Sequence, residues 1–230
     1  MQTPYQMTGQ VAQDISLQQN KVLRNTYMLL ALSMIPTVAG ALLGVNMGFA
    51  LFPGSPVVSM LVFLGIAFAF MWGIQRTKES AMGVVLLLGF TFFMGLMLSG
   101  ILRMALGFSN GGGLIAMAAG GTGAIFFTLA GIATVTKKDF GFLGKFLFIG
   151  LVVLILASLA NMFFQIPVLA LTVSAVAILI FSGYILYDIS AIVHGGETNY
   201  ISATLRVYLD VYNIFVNLLN ILMILGGRRN

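Results

Sequence analysis

Long runs of apolar residues dominate this chain, separated by short segments rich in glycine, proline, asparagine or charge. A membrane-spanning helix needs about 20 apolar residues, and seven runs reach or approach that length. The predicted spans are 26–52, 57–74, 81–102, 114–136, 143–164, 168–193 and 204–225. Pro36 lies inside the first of them as a candidate kink. The pattern predicts an all-α integral membrane protein, a seven-helix transmembrane bundle with short loops.

Composition also indicates a membrane protein, and it excludes several kinds of functional site. Of the 230 residues, 60% are hydrophobic and 7% are charged, against about 25% charged residues in soluble domains. There is no cysteine and a single histidine, His194, which excludes disulfides, thiolate nucleophiles and cysteine-based or HExxH-type metal sites. A net charge of +5 on so apolar a chain belongs to membrane loops. We therefore expect the lipid bilayer as partner, no nucleic acid and no cofactor.

The N-terminal segment differs from the rest because it is polar and rich in glutamine. It lacks the basic start, short apolar stretch and cleavage site of a signal peptide. We expect a short disordered cytosolic tail, residues 1–22, followed by one transmembrane domain, residues 23–230. The basic residues set the orientation, because they favour the cytosolic side of a membrane. With a cytosolic N-terminus, the cytosolic set is Lys21, Arg24, Arg76, Lys78, Lys137, Lys138, Lys145 and Arg206, against Arg103, Arg228 and Arg229. The C-terminus is then predicted on the opposite side.

Two acidic residues lie inside predicted spans, Asp188 in the sixth and Asp210 in the seventh. An aspartate at a span centre costs roughly 2.5–3.5 kcal/mol on insertion scales, and such residues are functional by default. The two spans are antiparallel and joined by a short loop, so the carboxyl groups could lie at the same depth. Two carboxylates held close cannot both ionise easily and share a proton. The pair could act as a pH-sensitive latch and, when deprotonated, could bind Ca²⁺.

A simpler interpretation stays open, in which Asp210 pairs with Arg206 one turn earlier and Asp188 reaches interfacial water. His194, at the end of the sixth span, could tune the acids or be an ordinary interfacial loop residue. In the fourth span, small residues at Ala116, Gly120 and Ala124 indicate close helix packing.

The seventh span carries a polar stripe. Its members are Arg206, Asp210, Asn213, Asn217 and Asn220, spaced 4, 3, 4 and 3 residues apart. That spacing places them on one helix face, which must meet protein or water rather than lipid. The seventh helix is therefore predicted to be central in the bundle.

Two aspartates on neighbouring helices also fit an intramembrane aspartyl protease, in which paired carboxyl groups activate water. Such proteases carry a Gly-x-Gly-Asp motif, whereas Val207-Tyr208-Leu209 precedes Asp210 here. The seventh span also has no lysine for an opsin-like Schiff base. We therefore expect a protein that is not an enzyme.

The sixth and seventh spans resemble the signature region of the Bax inhibitor-1 (TMBIM) family. The matching stretches are Tyr-Ile-Leu-Tyr-Asp at 184–188, His-Gly-Gly-Glu-Thr-Asn-Tyr at 194–200, and Leu209-Asp210 with the run at 212–219. The segment 137–143 resembles the family's loop between spans four and five. The resemblance covers nearly the whole chain and is most specific in its C-terminal third.

The resemblance implies a seven-helix bundle with the last helix in the middle. It also implies a pH-sensitive Ca²⁺ leak channel whose di-aspartyl sensor corresponds to Asp188 and Asp210. A family arginine at the cytosolic end of span two pairs with that sensor, and Arg76 is the nearest candidate, beside Arg206 and His194. Bacterial members lie in the inner membrane and resemble modulators of the membrane AAA protease FtsH, acting through a cytosolic N-terminal tail. Modulation of FtsH without ion transport is therefore the alternative function.

Overall fold

The computed structural model describes the backbone of residues 4–136 and 138–226, and the side chains of residues 17–136 and 138–226. These residues form seven α-helices: α1 Pro4–Met47, α2 Pro56–Thr77, α3 Ala81–Leu106, α4 Gly111–Thr136, α5 Leu143–Phe164, α6 Pro167–Val193 and α7 Tyr200–Gly226. All seven are long and apolar enough to cross a membrane, and the described residues contain no strand. Helices satisfy every backbone polar group within one segment, which a lipid environment requires. The predicted fold class is confirmed.

Helix α1 starts much earlier than the expected span. It begins at Pro4, so the expectation of a disordered extension is wrong for residues 4–22. Glutamine is a good helix former, and an established span supplies the nucleus from which a helix propagates. The apolar part of α1 is Leu17–Met47. The division into a tail and a transmembrane domain at residue 22 remains a prediction.

The same helix ends five residues earlier than predicted, at Met47. Gly48 follows with φ of 66°, the left-handed conformation that commonly terminates helices. The Arg103 side chain then donates a hydrogen bond of 2.8 Å to the carbonyl oxygen of Phe49. Chain reversal at Gly48 therefore stops α1 before its apolar run is exhausted.

Helix α4 also begins earlier than predicted, because the glycines expected in a loop form its first turn. A Cβ at Gly111 would overlap the carbonyl oxygen of Ala105. The missing side chain lets the start of α4 lie directly against the end of α3.

Helix α4 packs into the bundle through a different face from the one that its small residues predicted. Ala116, Gly120 and Ala124 are exposed, so the prediction that they mediate close packing within the bundle is wrong. The contact with α7 runs through Gly121 instead, where a Cβ would lie 2.7 Å from Cδ2 of Leu218.

Helix α7 is the centre of the bundle, as predicted. It contacts α1, α2, α3, α4 and α6, whereas among the described residues α5 packs only on α6. Tyr208 of α7 is fully buried, and its hydroxyl lies 2.9 Å from Oγ1 of Thr37 on α1 and 3.4 Å from the carbonyl oxygen of Thr91 on α3. The helix therefore joins its neighbours through polar contacts as well as apolar ones.

Three of the connecting loops meet at one end of the bundle. Nδ2 of Asn199, before α7, donates to the carbonyl oxygen of Lys78, after α2, at 2.9 Å. Oγ of Ser190, near the end of α6, donates to the carbonyl oxygen of Lys138, after α4, at 3.2 Å. This end, here called the basic end, carries Lys21, Arg24, Arg76, Lys78, Lys138, Lys145 and Arg206. Lys137, Arg228 and Arg229 lie outside the described residues.

Candidate functional site

Two buried carboxyl groups face each other between α6 and α7. Asp188 lies near the end of α6 and Asp210 lies in the first half of α7. The Gly195-Gly196 turn reverses the chain between them, and Gly195 adopts a positive φ of 77°. Asp188 is 6% exposed and Asp210 is 5% exposed. The structure thus places both acids at one depth inside the bundle.

The two side chains lie close enough to interact with each other. Oδ2 of Asp210 is buried and has no hydrogen-bond partner among the described residues. Carboxylate oxygens only accept hydrogen bonds, whereas a protonated carboxyl group also donates one. A contact between two carboxyl groups is therefore attractive when one of them carries a proton and repulsive when neither does. Tyr184, one turn before Asp188, is another titratable group close to the pair.

Arg206 joins this pair to the loop between the two helices. Its Nη1 lies 3.8 Å from Oδ1 of Asp188, and its Nη2 lies 3.1 Å from Oε2 of Glu197. Oε1 of Glu197 in turn accepts a hydrogen bond of 2.9 Å from the backbone N–H of Asn199. The Arg206 side chain is 48% exposed, so a partly exposed cation lies beside the buried carboxyl pair at the basic end.

Glu197 was not assigned a role from the sequence, although it lies in the loop stretch that carried the family resemblance. Its position in the sequence could have indicated a role. An acid in the loop just before a helix can reach a cation on the second turn of that helix, and Arg206 is the cation in that position.

The other two predicted sensor partners are Arg76 and His194. The guanidinium of Arg76 stacks over the ring of Trp72, 5.3 Å from its centroid, and forms no ion pair within the described residues. Nδ1 of His194 lies 2.8 Å from the carbonyl oxygen and 3.3 Å from Oγ of Ser190. The described geometry therefore brings Arg206 to the carboxyl pair and places Arg76 against Trp72.

The polar stripe of α7 is satisfied largely by protein groups. Nδ2 of Asn213 donates to the carbonyl oxygen of Leu209, and Nδ2 of Asn217 donates to that of Asn213, both at 2.8 Å. Nδ2 of Asn220 donates to Oγ of Ser174 on α6 at 2.9 Å. Arg206, Asp210 and Asn220 thus turn toward α6, while the two asparagines between them bond along their own helix.

Binding of Ca²⁺ by Asp188 and Asp210 stays a prediction. Ca²⁺ takes six to eight oxygen ligands, and the described residues contain no group of three or more histidine, aspartate or glutamate side chains able to hold a metal ion. The cationic Arg206 also lies 3.8 Å from Asp188. The pair is therefore better suited to exchange a proton than to store a cation.

The comparisons with known proteins identify relatives across the whole chain. The family described as "Inhibitor of apoptosis-promoting Bax1" matches residues 19–228. The "Modulator of FtsH protease YccA" of Escherichia coli is 43% identical over 206 residues, which cover 90% of this chain and 91% of that protein. An "Uncharacterized membrane protein" of Vibrio cholerae is 39% identical over 212 residues, covering 92% and 93%. An uncharacterized protein of Neisseria meningitidis serogroup B is 40% identical over 214 residues, covering 92% and 94%. With a seven-helix fold and matches of this extent, the chain belongs to the Bax inhibitor-1 family.

Proposed function

We propose that this protein is a non-catalytic ion-leak channel of the bacterial inner membrane, in which the Asp188–Asp210 pair makes the leak of Ca²⁺ depend on pH. One observation carries the proposal: two buried carboxyl groups lie close to each other across the contact between α6 and the central helix α7. The permeant ion of the proposed channel is Ca²⁺. The similarity to an inner-membrane protein of Escherichia coli named YccA supports the location.

The pair would work as a latch between two helices. With one proton shared, the carboxyl–carboxylate hydrogen bond holds α7 against α6. Without it, two negative charges face each other in a region of low dielectric, where repulsion is strong. Because α7 contacts five of the other six helices, a shift of α7 changes the packing of most of the bundle. A local change in protonation thus biases a global arrangement.

The orientation belongs to the same proposal. The described basic residues lie mostly at the basic end of the bundle, and basic residues favour the cytosolic side. We infer a cytosolic basic end and a C-terminus on the opposite side. The carboxyl pair then lies on the cytosolic side of the bundle, beneath Arg206, and responds to cytosolic pH.

The test is Ca²⁺ flux into liposomes that contain purified protein, stepped from about pH 8 to about pH 6, a range across which a coupled carboxyl pair can exchange its proton. Wild type is compared with Asp188→Asn and Asp210→Asn. An asparagine amide donates to the remaining carboxylate at every pH, so each variant should show flux that no longer changes with pH. Asp139→Asn is the matched control, because Asp139 is an exposed loop acid whose Oδ1 accepts from Gly141 N–H at 2.7 Å. Equal pH dependence in all four proteins would exclude the latch.

A second candidate function is modulation of a membrane AAA protease of the FtsH type without transport. The observation that favours it is the similarity to the relative named as a modulator of FtsH protease. Helix α1 also extends from Leu17 back to Pro4 ahead of its apolar part, which offers a contact segment at the basic end. Deleting residues 2–16 should abolish any effect on proteolysis of a reporter substrate by FtsH and leave ion flux unchanged. Modulation that survives this deletion would exclude the segment as the contact.

A further inference from the structure

A deep groove runs between α1 and α4, with α7 as its floor. It has a volume of about 1190 Å³ and is lined from Tyr27 to Val45 on α1 and from Ile115 to Val135 on α4. The backbones of α1 and α4 do not pack against each other in the described residues. Near the basic end the ring of Tyr27 on α1 lies edge-on to Phe126 on α4, with 6.1 Å between centroids. We call this feature the α1–α4 groove.

The α1–α4 groove is open at the side and apolar inside. Val38 and Phe127, which line it, are 56% and 74% exposed. The polar groups in its middle are satisfied: the hydroxyls of Thr37 and Tyr208 lie 2.9 Å apart, and that of Thr122 donates to the carbonyl oxygen of Ala118 at 2.7 Å. The hydroxyl of Tyr27, toward the basic end, is buried without a hydrogen-bond partner among the described residues. An apolar cavity does not hold ordered water. In a bilayer the occupant must therefore enter from the hydrocarbon region and bring no polar group to the middle of the groove.

The groove is long enough for hydrocarbon chains. Helix α1 rises about 27 Å between Tyr27 and Val45 at 1.5 Å per residue, and the hydrocarbon core of a bilayer is about 30 Å thick. The groove therefore runs along most of the depth of the hydrocarbon region, where acyl chains are the surrounding medium.

Charge is concentrated at one mouth of the groove. Arg24 lies three residues before Tyr27, and Lys138 lies three residues after Val135. Both are exposed, and neither forms an ion pair with the described residues. At the other mouth the nearby Arg103 is engaged by the carbonyl oxygen of Phe49. Basic pockets between transmembrane helices bind anionic lipid headgroups.

We propose that the α1–α4 groove is a binding site for an anionic phospholipid. Its acyl chains lie on α7 between α1 and α4, and its phosphate contacts Arg24 and Lys138. One lipid fills the half of the groove nearest the basic end, because each leaflet supplies about half of a hydrocarbon core of about 30 Å. The proposal does not depend on ion flux or on a protease.

The test is native mass spectrometry of the full chain in detergent, titrated with phosphatidylglycerol or with zwitterionic phosphatidylcholine. Wild type should retain one phosphatidylglycerol in preference to phosphatidylcholine. Gly131 lines the groove and Gly120 does not, and a Cβ at either position meets no atom within 4 Å. Gly131→Phe should therefore lose the bound lipid, whereas Gly120→Phe, on the same helix, should keep it. Equal binding by these two variants would overturn the proposal.

The headgroup contact has its own test. The double variant Arg24→Gln, Lys138→Gln should bind phosphatidylglycerol about thirtyfold more weakly, with phosphatidylcholine binding unchanged. Lys145→Gln is the control, because Lys145 is exposed at the start of α5, which does not line the groove. An equal loss in that control would show a general surface attraction and contradict a built site.

Photo-crosslinking in native membranes separates lipid from protein as the occupant. A benzoylphenylalanine in place of Phe127, an aromatic residue that already lines the groove, should attach to phospholipid. A crosslink from that position to a polypeptide would show that a partner helix occupies the groove and would overturn the proposal. Circular dichroism and gel filtration of every variant check that the fold is intact.

Discussion

Arg206 reaches Asp188 on the neighbouring helix, with 3.8 Å between Nη1 and Oδ1, although Asp210 lies one turn away on its own helix. The same guanidinium binds Glu197 at 3.1 Å. The cation is thus shared between a buried acid of α6 and a loop acid, and Asp210 is left with Asp188 as its polar partner. This arrangement places the charges that act on Asp188, those of Arg206 and Glu197, on the side of the pair toward the basic end.

The bond between Arg206 and Glu197 can be measured with a double-mutant cycle. The variants are Arg206→Gln, Glu197→Gln and their combination. Because Arg206 is 48% exposed, we expect a coupling free energy of about 0.2–1 kcal/mol, the range for solvent-accessible ion pairs. Unfolding in detergent monitors each variant. A coupling of zero at low salt would show that this ion pair contributes no stability.

Asn199 is expected to stabilise the basic end in two separable ways. Its Oδ1 caps α7 by accepting from the N–H groups of Ile201 at 2.9 Å and Ser202 at 3.0 Å, while Nδ2 holds the α2–α3 loop through Lys78 and Glu79. Asn199→Ser keeps a capping oxygen and loses the loop contact, whereas Asn199→Ala loses both. We expect stability in the order wild type, serine, alanine, with loss of the cap costing about 1 kcal/mol. Equal unfolding midpoints for the two variants would contradict the capping role.

Ser190 should control the exposure of the α4–α5 loop. Its Oγ accepts from the N–H of Phe140 at 3.0 Å and donates to the carbonyl oxygen of Lys138 at 3.2 Å. Ser190→Ala removes both contacts, so the loop should open locally more often. Trypsin cleavage after Lys138 is the measurement, and we expect a rate increase of about tenfold for a loss of about 1.4 kcal/mol. Ser80→Ala is the control, because Oγ of Ser80 bonds only within its own turn, to Thr77, and its cleavage rate should match wild type.

Close packing of α1 on α3 should make Gly95 intolerant of substitution. A Cβ at Gly95 would overlap the carbonyl oxygen of Thr37, a backbone atom that cannot rotate away. Gly95→Ala should therefore cost about 1–3 kcal/mol of stability, as overpacking does. Gly100→Ala lies on the same helix, where an added Cβ meets nothing within 4 Å, and alanine has the higher helix propensity. A thermal midpoint for Gly95→Ala as high as that for Gly100→Ala would contradict this packing.

The fold could be predicted largely from the sequence because lipid imposes a strict length and polarity on each span. The central position of α7 followed from its polar stripe, since five polar residues on one face cannot meet acyl chains. The ends of helices were harder. The start of α1 at Pro4 and the turn at Gly48 depend on helix propagation and on a single left-handed residue, neither of which changes hydropathy.

The candidate site could be predicted only in part. An acid inside a span is visible in the sequence, so Asp188 and Asp210 stood out. The partner of Arg206 was not visible, because the spacing to Asp210 on the same helix and the approach to Asp188 on the next are equally allowed. The α1–α4 groove left no signal either, since side chains that line an apolar groove and side chains that face lipid have the same composition.

The central position of α7 has a consequence for the assembly of the protein. The helix that fills the middle of the bundle is synthesised after α1 to α6, so these six helices enter the membrane before the surface on which most of them pack exists. The polar face of α7 enters only after its partners, among them Asp188 and Ser174 on α6, are already in place. A chain truncated before Tyr200 would therefore contain six spans without the central helix. Such a product should be a preferred target for membrane quality control.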